Sequence, residues 1–188
     1  MKRAQQISNA IALVQARRKA LNVPVSSVPT KVTDTTLYLV ARVDGLSNIA
    51  KLTNDDTKKK PGITNFDGNK LADGRDAVID SMKIEVAQDG LVLNNVDWAD
   101  SKIAMPAALA NAELKLKQGE QILYSTPVSD LVLSNDDDNY RDIASTPFLA
   151  SKEPIEWTLE FADGAKVPAE AVDGIYIKIS CRAIQAIQ

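Results

Sequence analysis

The chain has 188 residues, 45% of them hydrophobic and 25% charged, with a formal net charge of −3. That composition suits one domain with a real apolar core rather than a disordered chain. It has no histidine and one cysteine, which excludes Ser-His-Asp and Cys-His catalysis, the usual zinc sites and an internal disulfide.

No apolar run has the length of a membrane span. The best N-terminal stretch, Ile7 to Val14, is broken by Ser8 and Asn9 and lacks a cleavage pattern, so no signal peptide is expected. Residues 4 to 21 read as an amphipathic helix, with Ile7, Ile11, Val14 and Leu21 at helical spacing; Asn22 and Pro24 end it. Residues 1–22 carry Lys2, Arg3, Arg17, Arg18 and Lys19 and no acid, which makes a basic helical arm on an acidic body. The helix either packs on its own domain or reaches out to a neighbouring subunit. Pro24 and Pro29 make residues 23–35 an extended linker.

Residues 36–188 read as a β-sandwich domain. Thr36 to Val43 is nearly continuously apolar, the pattern of a central strand covered on both faces. Asp44-Gly45 turns the chain, and Asn48 to Leu52 is a short return strand. Thr53 to Gly74 is a long polar loop with Ile63 to Phe66 as an edge piece, and Lys58-Lys59-Lys60 forms a solvated tip. Ala77 to Ala87 is a strand with Met82, Ile84 and Val86 inward and Ser81, Lys83 and Glu85 outward. Leu91 to Val96 is its expected hairpin partner, and Trp98 a core or subunit-contact aromatic. Ala107 to Lys117 suits helix by its alanines and strand by its alternation. Gln118-Gly119 before a second apolar stretch decides for a hairpin. Leu131 to Leu133 is a further strand and Ser134 to Asp142 an acidic loop.

The clearest strands are the last two. Ile155, Trp157, Leu159 and Phe161 alternate with polar residues, as do Ile175, Ile177, Ile179 and Cys181. Paired antiparallel, they would set Glu156 and Glu160 against Lys178 and Arg182. The fold class is therefore all-β: an antiparallel two-sheet sandwich with an N-terminal amphipathic helix, and a single jelly roll if eight strands carry long crossings.

Chemistry-bearing patterns are few. Asn135-Asp136-Asp137-Asp138-Asn139 offers clustered oxygens to calcium, but without the glycine and final glutamate of an EF-hand. Cys181 reads as a buried small hydrophobe. Glu156 and Glu160, four apart on one strand face, could flank a substrate in a hydrolase, but they fit pairing with Lys178 and Arg182 better. Aromatics are few and form no regular platform, so sugar- or base-stacking surfaces are not indicated; Trp98 and Tyr140 form one only if their loops meet. No residue is assigned to catalysis, to a cofactor or to a metal.

The ending PIEWTLEF…DGAKVPAEAVDGIYIKIS resembles the close of phage virion structural proteins, in which a P-I-E-x-x-L-x-F strand precedes a G-x-x-x-P loop and a final strand. A basic arm ahead of a β-domain also resembles viral capsid proteins. The resemblance implies a single jelly roll without catalysis that assembles into a virion shell or vertex. Its partners would be copies of itself and other virion proteins, and assembly would take place in the host cytoplasm. The arm has only five basic residues, so it implies at most a weak nucleic-acid contact. Docking on a neighbouring subunit through Ile7, Ile11, Val14, Arg17 and Arg18 fits better. The other reading is a calcium-dependent carbohydrate or surface-ligand binding module.

Overall fold

The computed structural model describes residues 2–20, 22, 31–53, 57–67, 69–89, 93–98, 103–132, 140–169 and 173–187. Among them are a helix, α1 (Lys2–Ala20), and nine strands: β1 (Lys31–Arg42), β2 (Ile49–Lys51), β3 (Arg75–Asp89), β4 (Glu113–Gln118), β5 (Gln121–Pro127), β6 (Arg141–Asp142), β7 (Phe148–Leu149), β8 (Ile155–Glu160) and β9 (Gly174–Ile187). A single helical turn, α2 (Ala107–Ala110), precedes β4, so the ambiguous alanine-rich stretch is helix first and strand after.

The strands form two antiparallel sheets in a β-sandwich-like arrangement. One has the order β1-β9-β3, with β6 and β7 both on the far edge of β3; the other has the order β2-β8-β4-β5. β9 is the spine of the first sheet, paired along its length with β1 on one side and β3 on the other. Its odd-numbered residues from Ile175 to Cys181 face Leu114, Leu116, Trp157 and Leu159 of the second sheet in one shared core. The register of β3 shifts between Ile79 and Ser81. This bulge moves the inward set from Ala77 and Ile79 to Met82, Ile84 and Val86, a change of parity written in the sequence. The β4–β5 hairpin forms as expected, with Gly119 at φ +58 in its turn.

Several expectations are corrected. β8 and β9 are not a hairpin; they lie in opposite sheets and share only the core between them. Glu156 meets Lys51 at 2.8 Å and Lys117 at 3.9 Å, and Glu160 meets Lys115. Lys178 lies 3.8 Å from Glu85 instead. Alternation fixes which face is inward, and says nothing of which strand lies alongside. β1 is an edge strand, not a central one. Its free edge is covered by the 60–66 loop, where the Val40 N–H donates to the Ile63 carbonyl at 2.7 Å. The Asn65 side chain also acts as a short strand there, accepting from the Tyr38 N–H at 3.0 Å and donating to the Thr36 carbonyl at 2.6 Å. Such capping removes an edge that could template aggregation. Leu93–Asn95 is a 3-10 turn within the expected return strand Leu91 to Val96, and Leu131, where a further strand was expected to start, ends the 3-10 turn Val128–Leu131; Leu133 is outside the described residues. The expected linker overlaps β1, which starts at Lys31, and its first part, 23–30, is outside the described residues.

α1 is seated on its own domain, against the outer face of the first sheet. Ala10 and Val14, helped by Ile7 and Leu13, pack on Val78, Ile184 and Ala186. One turn on, Arg18 forms a buried ion pair with Asp76, whose other oxygen accepts from the Ser151 N–H at 2.9 Å. The apolar stripe therefore runs through Ala10 rather than Ile11, which is only half-buried. Of the five residues expected to dock a neighbour, Val14 and Arg18 are committed to this intramolecular seat, Ile7 contributes to it and Arg17 is exposed. The cause is legible at the end of β9, where Ala183, Ile184 and Ala186 are apolar on both parities, a pattern that demands cover on both faces.

Candidate functional site

Further along the same outer face, the strands present their polar parity. β1 supplies Thr36 and Tyr38, β9 supplies Lys178 and Ser180, and β3 supplies Lys83. Register brings these together: Tyr38 and Lys83 both lie opposite Ser180, and Lys178 lies opposite Glu85. The 93–98 segment folds across the face, fastened by Val96, Leu93 and Trp98 packing on Tyr176 and Ala87. The Asp97 N–H donates to Asp89 Oδ2 at 3.1 Å, which fixes the segment to the end of β3. Tyr140, leading into β6, closes the opposite wall. The result is a groove of about 370 Å³ between Trp98 and Tyr140.

Its charge distribution is specific. The Lys178 ammonium stands 5.3 Å from the centre of the Trp98 ring, and Lys83 stands 5.2 Å from that of Tyr140. The Arg182 guanidinium lies 4.0 Å from the same Tyr140 ring centre. Such placements hold cations and rings in mutual register. Glu85 is shared by both lysines, at 3.2 Å from Lys83 and 3.8 Å from Lys178, so among the described residues that line the groove cations outnumber carboxylates. Three hydroxyls, of Thr36, Tyr38 and Ser180, line the floor. The Tyr38 oxygen accepts from the Gly62 N–H at 3.3 Å.

Trp98 and Tyr140 both line one groove, each with a cation over its ring. The other sequence candidates do not gather into a site. Glu156 and Glu160 stand in a lysine–glutamate ladder on the outer face of the second sheet. Cys181 is in the core, where burial pushes its thiol far above the ordinary range and suppresses thiolate formation. The Asn135 to Asn139 stretch is outside the described residues; among those described, no group of three acidic or cysteine side chains could hold a metal ion. Lys83, Lys178 and Ser180 were visible in the sequence only as polar alternation positions, and Thr36 as the start of a strand covered on both faces; nothing local marked them as neighbours.

A second cleft, of about 500 Å³, lies beside β1, with Lys59, Lys70 and Arg75 around Asp67. It has no exposed aromatic wall, since Phe66 is buried. Among the described residues, no helix is long and apolar enough to cross a membrane. Comparison with known proteins finds no family model that matches the chain and no curated protein similar to it.

Proposed function

We propose that this chain is a non-enzymatic virion structural protein, a single jelly roll that assembles with copies of itself and other virion proteins into a shell or vertex. The observation that carries the reading is the pairing order. β6 and β7 pair with successive parts of β3 and count as one interrupted strand, which leaves eight. The first then pairs with the last, the second with the seventh, the third with the sixth and the fourth with the fifth. That is one long hairpin, rolled so that its last strand also meets the third and its seventh meets the fourth. Rolled hairpins of eight strands are jelly rolls, two Greek keys in one chain. A fold alone does not name a function. The step to a virion rests on the likeness of the C-terminal stretch and the basic helix to phage structural proteins.

In this reading the helix docks neighbours by exchange. Every copy offers the same seat of Val78, Ile184, Ala186 and Asp76, so α1 of one subunit can occupy that of the next, a low-cost route to assembly. Electron microscopy and light scattering of the purified full-length chain test the proposal. Closed particles or rings of uniform size are expected. A monomer at every concentration up to the solubility limit refutes it. The reading as a surface-ligand module is favoured by one observation, the groove between Trp98 and Tyr140, and needs no calcium there.

A further inference from the structure

We infer that the groove between Trp98 and Tyr140 is a binding site for an acidic saccharide, a pyranose bearing a carboxylate. Three features select this chemistry, and none depends on the assembly proposed above. First, among the described residues the two lysines share one carboxylate, that of Glu85, and an incoming carboxylate pairs with them across the groove. Second, Trp98 is half-buried and the Lys178 ammonium stands over its ring, so a cation and an aromatic wall line the groove together. A sugar that carries a charge on a largely C–H-rich ring matches that pairing. Third, the floor hydroxyls of Thr36, Tyr38 and Ser180 can donate and accept, as the hydroxyls of a sugar ring do.

Lysines serve phosphate as well as carboxylate, and dedicated phosphate sites commonly add bidentate guanidinium groups, backbone N–H nests or helix N-termini to them. Here the cations facing the groove are lysine point charges, and the nearby guanidinium of Arg182 lies against the Tyr140 ring. At about 370 Å³ the groove takes one or two sugar units, at the small end of the roughly 300–1,000 Å³ typical of ligand sites.

Tryptophan emission reads the site directly, because Trp98 borders the groove while Trp157, the other tryptophan, is in the core. The full chain is titrated with glucuronic acid and N-acetylneuraminic acid, with glucose as the neutral probe and inorganic phosphate and AMP as phosphate probes. One of the acidic sugars is expected to give a saturable change that is absent from Trp98→Phe. Lys178→Gln is expected to weaken it about fivefold or more, the factor that one half-buried ion pair supplies. Lys178→Gln is checked by its melting curve, and Lys83→Gln replaces it if it unfolds early. The inference is overturned by the absence of saturable binding for both acids, by glucose binding equally well, or by phosphate or AMP binding more tightly.

Discussion

The seat of α1 can be tested through its ion pair. Arg18 and Asp76 have side chains only 8% and 4% exposed. Arg18→Ala removes one partner and leaves the Asp76 carboxylate buried with the Ser151 N–H. Breaking a buried pair from one side costs about 3–5 kcal/mol, because the remaining charge is uncompensated. In a chain of this length each kcal/mol moves the melting midpoint by about 2–4 °C, so a drop of about 6–20 °C is expected. Arg18→Met combined with Asp76→Asn removes both charges, keeps the acceptor for Ser151 and preserves the packing of the arginine stem. That pair should melt within about 1 kcal/mol of the parent, since desolvation of the ions offsets most of their attraction. Urea melts of the parent, both single variants and the double variant give the coupling directly. If Arg18→Ala costs no more than the roughly 0–1 kcal/mol of an exposed ion pair, the helix is not seated on Asp76 and the packing argument for α1 fails.

Three further outcomes follow from single positions. Cys181 should resist a thiol reagent in the folded chain at about pH 8 and react on unfolding, because burial holds it protonated; Cys181→Ser should cost about 1–3 kcal/mol by burying a hydroxyl among apolar groups. Gly119→Ala meets nothing within 4 Å, so its whole cost is the left-handed backbone, about 1–2 kcal/mol in a melt. The Asp44 carboxyl is held below the ordinary carboxylate range, chiefly by its hydrogen bond from Arg42. Its contribution is therefore present above the unfolded carboxyl pKa of about 4 and is lost as pH falls through the lower folded value. Arg42→Gln should flatten that acid-side loss in melts recorded across the range.

How much of the fold could be read in advance divides along a physical line. Inward faces were legible wherever parity held, as at Met82, Ile84 and Val86 or Trp157 and Leu159, because burial acts on each residue locally. Neighbours were not, because pairing is a choice among strands with similar faces. Glu156 and Glu160 matched Lys178 and Arg182 in charge, but they matched Lys51, Lys115 and Lys117 equally well. Length was the better signal. The connection from Phe161 to Asp173 is far longer than the two to five residues of an ordinary hairpin loop, which marks a crossing between layers.

The groove raises a subtler question, since Lys83, Lys178 and Ser180 were read on the polar parity while Thr36 and Tyr38 were taken for a strand covered on both faces. The outer face of the first sheet has apolar residues at both ends. Val78, Ile184 and Ala186 stand at one end and Tyr176 and Ala87 at the other, all on the parity that should be polar. Each such group demands a cover, and the chain supplies two: α1 over the first and the 93–98 segment over the second. Between the covers, Thr36, Lys83 and Lys178 keep the polar parity and stay accessible around the buried Ser180. A sheet face that is apolar at its ends and polar in its middle therefore builds a groove with a polar floor. The covering segment also brings its own wall, here Trp98. Parity errors in a strand thus identify where cover lands, and the correct parity between them identifies the floor of a site.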